Sequence, residues 1–214
     1  MLLDLHVHTN RYSWCSAIDP VLGVQKAREI GLDGLVIVEH DIVWKEEELE
    51  DLKRQLNLDG FVILRAQEIN CNTEQGFKHG HLLTYSYFER YNYLLPTRGI
   101  IDQVHRAGGV AVAAHPYRPR HGFGNDVYDL QLDGIEVLHP KHTTADREMA
   151  EHARKSLNIA SIGGSDAHAH EEIGACLTYF QDWISNEEDL AQAIRSMRCK
   201  PITREEMADY RRLP

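Results

Sequence analysis

Short apolar runs alternate with amphipathic stretches along the chain, a pattern that predicts strands separated by helices. The predicted strands are Leu2–Val7, Leu35–Val38, Phe61–Ala66, His81–Tyr85, Val110–Ala114, Gly134–Leu138 and Ile159–Ile162. The predicted helices are Pro20–Ile30, Lys45–Leu56, Thr97–Ala107, Thr144–Ser156 and Glu187–Met197. Because such an alternation favours a mostly parallel sheet covered on both faces, we expect an α/β barrel of about seven strands.

A single domain is expected across residues 1–214, because no linker, repeat or low-complexity segment divides the chain. The segments that carry candidate chemistry lie within residues 2–180, and residues 186–212 are predicted to form C-terminal helices. The 43% of hydrophobic residues suffices for a sizeable buried core.

The charge balance excludes one class of partner. With 33 acidic and 23 basic residues, the chain has a formal net charge of −10 and lacks the basic surface that duplex nucleic acid requires. Bound cations would reverse the local field, so an anionic substrate stays compatible with this composition.

The cysteines and the N-terminal segment predict a cytoplasmic location. Cys15, Cys71, Cys176 and Cys199 show no CxxC pairing, which favours free thiols in a reducing compartment. The first residues, MLLDLHVHT, are too polar for a secretory signal, and their apolar run is too short. No run approaches the roughly 20 apolar residues of a membrane span, so no membrane association is expected.

Side chains that suit divalent metals recur along the chain, each placed where a strand is predicted to end. They are His6, His8, His40, Glu68, His81, His115, Asp166 and His168. Neutral imidazoles and carboxylates are ligands for Zn, Mn and Fe. In parallel barrels functional side chains gather at the carboxyl ends of the strands, so the series predicts one polynuclear metal centre at the mouth of a barrel.

The individual signals differ in strength. His6 and His8 are two residues apart in a strand and therefore share a face, although an isolated H-x-H pair is weak evidence. Each of His40 and Glu68 is also compatible with an ordinary solvated loop position, and His79 competes with His81. His115 ends a fully apolar strand, where burial of an unpaired imidazole would be costly. Two glycines before Asp166 and His168 allow the sharp turn that brings both inward.

Taken together, these segments resemble the PHP (polymerase and histidinol phosphatase) family of metal-dependent phosphoesterases. The matching segments, in the family's order, are Asp4–Thr9 (DLHVHT), Glu39-His40, Glu68, His81–Leu83 (HLL), Ala114–Pro116 (AHP) and Gly164–His168 (GSDAH). The segment Gly134–Thr143 (GIEVLHPKHT) also resembles a subgroup of small phosphoesterases that includes nucleoside phosphatases and short-oligonucleotide exonucleases.

The resemblance implies a distorted seven-stranded (β/α) barrel that holds two to three divalent ions. By analogy, His6, His8, Glu68 and Asp166 hold one ion, and Glu68 bridges to a second ion on His81 and His115. His40 and His168 would hold a third ion. Cys15 stands where the family usually has a His or Asp ligand for this ion, and Glu39 replaces the commoner Asp.

The expected chemistry is hydrolysis of a phosphate ester by a hydroxide shared between the metals, without a protein nucleophile. Arg118 is the first candidate for a phosphate contact, followed by Lys141 and Arg120. The substrate is left open between a phosphomonoester, such as a nucleotide or histidinol phosphate, and a short phosphodiester or oligonucleotide. The loops 70–79 and 117–129 are expected to line its pocket, and the oligomeric state is undetermined.

Two other classes of function compete with this hypothesis. An amidohydrolase-like enzyme that cleaves C–N bonds also uses H-x-H and Asp on a barrel, but commonly adds a metal-bridging Lys at a strand end, which is not evident here. A non-catalytic metal-binding module would need only part of the ligand set.

Overall fold

A computed structural model describes residues 1–211 of the chain. Nine strands are found in this range: β1 Leu2–Val7, β2 Gly34–His40, β3 Val62–Asn72, β4 Lys78–Tyr85, β5 Val110–Ala113, β6 Gly134–Leu138, β7 Ala160–Gly163, β8 Cys176–Phe180 and β9 Cys199–Thr203. The α-helices are α1 Pro20–Glu29, α2 Glu46–Leu56, α3 Thr97–Arg106, α4 Thr144–Leu157, α5 Glu187–Arg195 and α6 Met207–Tyr210. Short 3-10 helices occupy Gly124–Asp129 and His170–Glu172. Residue 212, the end of the predicted C-terminal helical region, lies outside the described residues.

The strands form one sheet in the order β7-β6-β5-β4-β3-β2-β1-β8-β9. Strands β1 to β3 are parallel to one another, and so are β5 to β7, whereas β4 runs antiparallel to both β3 and β5. Near the ends of this order, the Thr178 hydroxyl of β8 accepts from the backbone N–H of Gly163 in β7 at 2.9 Å and donates to the Gly163 carbonyl at 2.8 Å. The sheet is therefore a nearly closed barrel.

The predicted number of seven strands is wrong, because β8 and β9 were not anticipated. Pro201 lies inside β9, and proline within a run argues against a central strand. It is tolerated here because β9 is an edge strand paired with β8 alone. The sequence of β8, CLTYF, is rich in strand-forming residues, so composition offered a signal for that strand.

The core lies on both faces of the sheet, as the apolar strands predicted. Alternate residues such as Leu5, Val38 and Val112 point into the barrel, where they pack against the apolar face of α5. Arg195 of α5 donates to the carbonyls of Gly108 and Gly109, which immediately precede β5. Helix α5 therefore closes the barrel end at which β5 begins, and the opposite end stays accessible for a site.

The outward-facing residues of the strands are covered by the other helices. Ile37 belongs to a cluster with residues of α1 and α2, and Ile135 belongs to one with residues of α3 and α4. Within residues 1–211, none of the helices combines the length and apolar character that crossing a membrane demands.

Helix α3 is tied to the start of β6 by an ion pair that generates a pH-dependent prediction. His105 Nε2 lies 2.8 Å from Asp133 Oδ2, and Asp133 also accepts from the backbone N–H of Ala111. The hydrogen bond to Asp133 raises the pKa of His105 above its usual value. The pair should stabilise the fold fully below about pH 6.5, and this stabilisation should disappear as the pH rises through the raised pKa.

We therefore expect His105→Gln to lower the free energy of unfolding more in mildly acidic than in alkaline solution, as measured by urea denaturation. The control is His152→Gln, an exposed histidine that faces the Tyr128 hydroxyl instead of a carboxylate. If the loss of unfolding free energy in His105→Gln instead grew as the pH rises, the prediction would be contradicted.

Candidate metal centre

All eight predicted ligands lie at the barrel end opposite α5. His6 is in β1 and His8 follows it, and His40 is the last residue of β2. Glu68 lies within β3, four residues before its end. His115, Asp166 and His168 follow β5 and β7 directly.

The expectation that every ligand follows the end of a strand is wrong for Glu68, which lies inside β3, and for His81. His81 is in the first half of β4, opposite Asn70 of β3. Because β4 is antiparallel, its first half lies beside the carboxyl end of β3. The histidine therefore reaches the same end of the barrel from the opposite chain direction.

Glu68 is the centre of the cluster. Its carboxylate faces five imidazoles: Oε1 lies 2.8 Å from His81 Nδ1, 3.1 Å from His115 Nε2 and 3.5 Å from His6 Nε2, and Oε2 lies 3.0 Å from His40 Nδ1 and 3.4 Å from His8 Nε2. The side chain of Glu68 is only 1% exposed. One buried carboxylate thus draws ligands from four different segments to a common point, since His6 and His8 share one segment.

The two carboxylate oxygens of Asp166 face two different sets of side chains. Oδ1 lies 3.6 Å from His6 Nε2, 3.4 Å from His8 Nε2 and 3.6 Å from His168 Nδ1. Oδ2 lies 3.0 Å from Arg118 Nη1, 3.2 Å from His139 Nε2 and 3.6 Å from Lys141 Nζ. The carboxylate therefore separates the imidazole cluster from a cluster of hydrogen-bond donors.

Three groups of ligand atoms among the described residues lie close enough for metal binding, within 4.8 Å of one another. The groups are His6, His8, Glu68 and Asp166; His40, Glu68 and His81; and His8, His40 and His168. The first has the composition that the family resemblance implies. In the second group, His40 joins Glu68 and His81, which the resemblance assigned to an ion without His40. In the third group, His8 joins His40 and His168, which the resemblance assigned to an ion without His8.

The ligand atoms of the cluster are arranged to bind a cation rather than to hydrogen-bond with one another. Buried atoms without a hydrogen-bond partner include His40 Nδ1, Glu68 Oε2, His81 Nε2 and His115 Nδ1. His40 Nδ1 and Glu68 Oε2 are 3.0 Å apart, but their orientation does not make a hydrogen bond. Buried polar atoms without partners are costly. A divalent ion would remove this cost by accepting the lone pairs of these atoms.

Burial and mutual charge shift the pKa values of the two carboxylates. Burial alone would raise the pKa of Glu68, but the charges of His81 and His6 and the hydrogen bond from His115 hold it well below its usual range. The pKa of Asp166 is also held well below its usual range, because the hydrogen bond from His139, together with the nearby His8 and the charge of His6, outweighs burial. Both side chains are therefore anionic, as metal ligation requires.

The imidazoles are shifted in different directions. Burial lowers the pKa of His115 to about 4, so this side chain is neutral near pH 7. For His6, burial alone would lower the pKa, but the charges of Glu136 and Glu68 raise it well above the usual value. In the absence of a metal, protons on such histidines supply part of the positive charge that the carboxylates need.

Four of the eight non-glycine residues with positive φ in the described part of the chain lie beside the centre. Asp41, His115, His121 and Asp166 have φ angles of 61°, 29°, 67° and 49°. Non-glycine residues rarely adopt this left-handed region, and such strain clusters at functional sites. Gly164 is needed for a different reason, since a Cβ there would lie 2.5 Å from His6 Cβ and 2.6 Å from Glu136 Oε1.

Two residues of the site were missed in the sequence. Glu136 is fully buried in β6 and accepts from His6 Nδ1 at 3.1 Å and from the backbone N–H of His115 at 2.8 Å. His139 is buried beside Asp166. Signals existed for both, because Glu136 is a lone charge in the apolar strand GIEVL. His139-Pro140 repeats the pattern of His115-Pro116 after a buried strand.

A cavity of about 800 Å³ adjoins His81. Its lining includes Lys78, Tyr91, Tyr93, Arg120 and His121. Parts of both predicted loops, 70–72, 78–79 and 119–122, contribute to it. Arg120 therefore faces this cavity, whereas Arg118 and Lys141 face Asp166.

The aromatic residues Phe77, Tyr117 and Phe123 of the two predicted loops are absent from the lining of this cavity. Phe123 is only 4% exposed, and its ring fills the space where a Cβ of Gly80 would stand. Instead, Tyr91 and Tyr93 are the aromatic residues of the lining.

Cys15 is exposed and belongs to none of the three ligand groups among residues 1–211. Partial burial and the nearby charges of Asp166, Glu68 and Glu39 raise the pKa of its thiol. Its role as a ligand stays a prediction. Cys71 and Cys176 are buried, and Cys199 is partly buried.

We expect a small alkylating reagent to modify Cys15 first in the native, metal-free protein, because the other thiols are less accessible. If Cys15 is a ligand, added Zn²⁺ should slow its modification, and Cys15→Ala should bind fewer ions. Mass spectrometry of the alkylated protein and elemental analysis provide the measurements. Equal alkylation rates with and without Zn²⁺, together with unchanged stoichiometry in Cys15→Ala, would exclude the ligand role.

The chain is similar to known proteins in sequence and in fold. Residues 145–199 match a family model described as PHP-associated. The uncharacterized protein MJ1587 of Methanocaldococcus jannaschii is 26% identical over 153 residues, which cover 66% of this chain and 84% of the relative.

Two solved structures share the fold. One, from Bifidobacterium adolescentis and provisionally named a metal-dependent phosphoesterase, matches with a TM-score of 0.64 and 18% identity over 91% of this chain and 96% of the other. The second is an amidohydrolase from Chromobacterium violaceum with bound sulfate and no metal. It matches with a TM-score of 0.62 and 14% identity over 96% of this chain and 99% of the other. The family-model match, confined to residues 145–199, and the shared fold are in keeping with the resemblance to PHP-domain proteins.

Proposed function

We propose that this protein is a metal-dependent hydrolase that cleaves a phosphate ester at the mouth of its barrel. The observation that carries the proposal is the environment of Glu68, a buried carboxylate that faces five imidazoles, several with buried atoms that lack partners. A structural ion pair needs far fewer groups. A cluster of this size is characteristic of a site that holds more than one cation.

The residues that would hold the ions are those of the three ligand groups, together with His115. Glu68 would be shared between ions because it belongs to two of the groups. Two or three ions of Zn, Mn or Fe are the expected cofactors, since all three accept imidazole and carboxylate ligands. When bound, such ions supply an activated water and positive charge opposite the substrate's oxygens.

The substrate phosphate is expected at the donor cluster formed by Arg118, His139 and Lys141, which converge on Asp166 Oδ2. The backbone N–H of Lys141 donates to His139 Nδ1 at 3.1 Å, so Nε2 of this imidazole carries the hydrogen that it directs to Asp166. Three donors around one anionic oxygen form a site that also suits a phosphate oxygen. Arg118 and His139 would orient the ester, and Lys141, 49% exposed, would contact it from the rim.

The donor cluster favours a phosphate ester over an amide. An amidohydrolase would use the same metals, but the neutral amide bond that it cleaves does not require guanidinium, imidazole and ammonium groups around one point. The leaving group would occupy the cavity beside His81. A small phosphomonoester and a short oligonucleotide both stay compatible with this cavity, whereas the net charge of −10 disfavours duplex nucleic acid. The cytoplasm stays the predicted location.

The protein should bind at least two divalent ions per chain and hydrolyse phosphate esters when loaded. Elemental analysis after purification without chelators gives the stoichiometry. A panel of phosphomonoesters, phosphodiesters and amides, assayed with Mn²⁺, Zn²⁺ or Fe²⁺, gives the reaction class. His115→Ala or Asp166→Ala should reduce metal affinity or turnover by about 10–100-fold or more.

His152→Gln, at an exposed position remote from these ligands in the sequence, is the control and should keep wild-type turnover. One ion or none per chain would contradict the proposed centre. Hydrolysis of amides but not of phosphate esters would favour the amidohydrolase alternative.

Arg118 offers a separate test of the phosphate position. Hydrogen bonds to charged groups contribute about 1.5–3 kcal/mol, so Arg118→Met should lower kcat/KM for a phosphate ester roughly 10–150-fold. The control is Arg54→Met, an exposed arginine of α2 that pairs with Asp51. Steady-state kinetics of both variants on the same phosphomonoester would contradict the assignment if Arg54→Met lost as much activity as Arg118→Met.

A further inference from the structure

Another buried carboxylate, Glu39 of β2, lies beside the centre without belonging to any of the three ligand groups. Four hydrogen bonds reach its two oxygens. Oε1 accepts from the Trp44 indole N–H at 2.9 Å and from the Thr9 hydroxyl, and Oε2 accepts from the Thr9 backbone N–H at 3.3 Å and from the Ser13 hydroxyl. Because each oxygen already accepts from an N–H group, the carboxylate acts purely as an acceptor.

The hydroxyl of Ser13 connects this carboxylate to a predicted metal ligand. Its single hydrogen is donated to Glu39, so Ser13 Oγ must act as an acceptor toward its other neighbours. These neighbours are His8 Nδ1 and the backbone N–H of His40, each at 3.3 Å. His8 therefore carries a hydrogen on Nδ1, which leaves Nε2 to face Glu68 and Asp166 at 3.4 Å.

His6 has the same orientation through a direct contact. Its Nδ1 donates to Glu136 Oε1 at 3.1 Å, so its Nε2 also faces the centre. The Nε2 atoms of His6 and His8 are 3.1 Å apart. When both imidazoles are neutral with hydrogen on Nδ1, the two Nε2 lone pairs repel each other at this distance. A proton between them, or a metal cation beside them, removes the repulsion.

We propose that Ser13 and Glu39 are positioning residues, which act in series to fix the ring nitrogen that His8 presents to the metal. Glu136 performs this task for His6 without an intermediate. Outer-shell partners of this kind fix the tautomer and orientation of metal-binding histidines. The inference rests on the proposed function, because it needs a metal at His6 and His8.

The length of the Glu39 side chain explains the form of the relay, by which we mean the series of contacts from Glu39 through Ser13 to His8. It is one methylene longer than aspartate, and it spans from the Trp44 indole to the segment Thr9–Ser13, which leads from β1 toward Cys15. The backbone N–H of Ser13 also donates to the Thr9 carbonyl at 3.1 Å. Ser13 is therefore held from two sides, so its hydroxyl is fixed beside His8.

The test compares wild-type protein, Ser13→Ala and Trp44→Phe. Trp44→Phe removes one donor from Glu39 but leaves the Ser13 contact with His8, so it is the matched control. Zinc affinity is measured by competition with a chelating dye. The protonated ring nitrogen is identified by NMR of the zinc-loaded protein labelled with ¹⁵N at histidine, and thermal unfolding checks that each variant is folded.

We expect both His6 and His8 of the wild-type protein to carry hydrogen on Nδ1. Ser13→Ala should lose about 10–100-fold in zinc affinity, whereas Trp44→Phe should stay close to the wild type. The relay is refuted if His8 carries hydrogen on Nε2, if Ser13→Ala binds zinc like the wild type, or if Trp44→Phe loses as much affinity as Ser13→Ala. Wild-type protein that binds no divalent metal at all would instead overturn the proposed function, and the relay with it.

Discussion

The negative charge of Glu68, buried inside the mouth of the barrel, is the constraint on which the rest of the site depends. A buried carboxylate is strongly destabilising unless positive charge or hydrogen-bond donors surround it. Here five imidazoles from four segments supply those contacts, and their own burial leaves several ring nitrogens without partners. Divalent ions would satisfy the carboxylate and the imidazoles together, which is why the site is interpreted as a metal centre.

Around this centre, a layer of buried carboxylates sets the direction of each ligand. Glu136 and Glu39 accept hydrogens on the far side of His6 and His8, the second through Ser13. Asp4 likewise accepts from the backbone N–H groups of His6, Ser165 and Gly174, and so ties β1 to the turn that carries Asp166. These contacts hold the histidines in a fixed geometry, and the donors at Arg118, His139 and Lys141 would extend the centre toward the proposed anionic substrate.

The expectation that each ligand follows the end of a parallel strand was partly wrong. Six of the nine strands follow the parallel alternation of strand and helix, and their apolar runs mark them clearly. Strand β4 breaks the alternation by running antiparallel, which places His81 in the first half of a strand. Strands β8 and β9 lack long apolar runs, and their pairing depends on closure of the barrel, a non-local event that periodicity does not record.

By itself, the sequence determined which chemical groups are available. Ligand-type residues recur beside apolar runs, and the two-residue spacing of His6 and His8 places them on one face. Only the tertiary structure decided which groups meet. Glu136 is 130 residues from His6, and His139 reaches Asp166 across 27 residues. Such contacts depend on the order and direction of strands around the barrel, and local pattern carries no information about them. The partners that orient the ligands therefore became visible only in the folded chain.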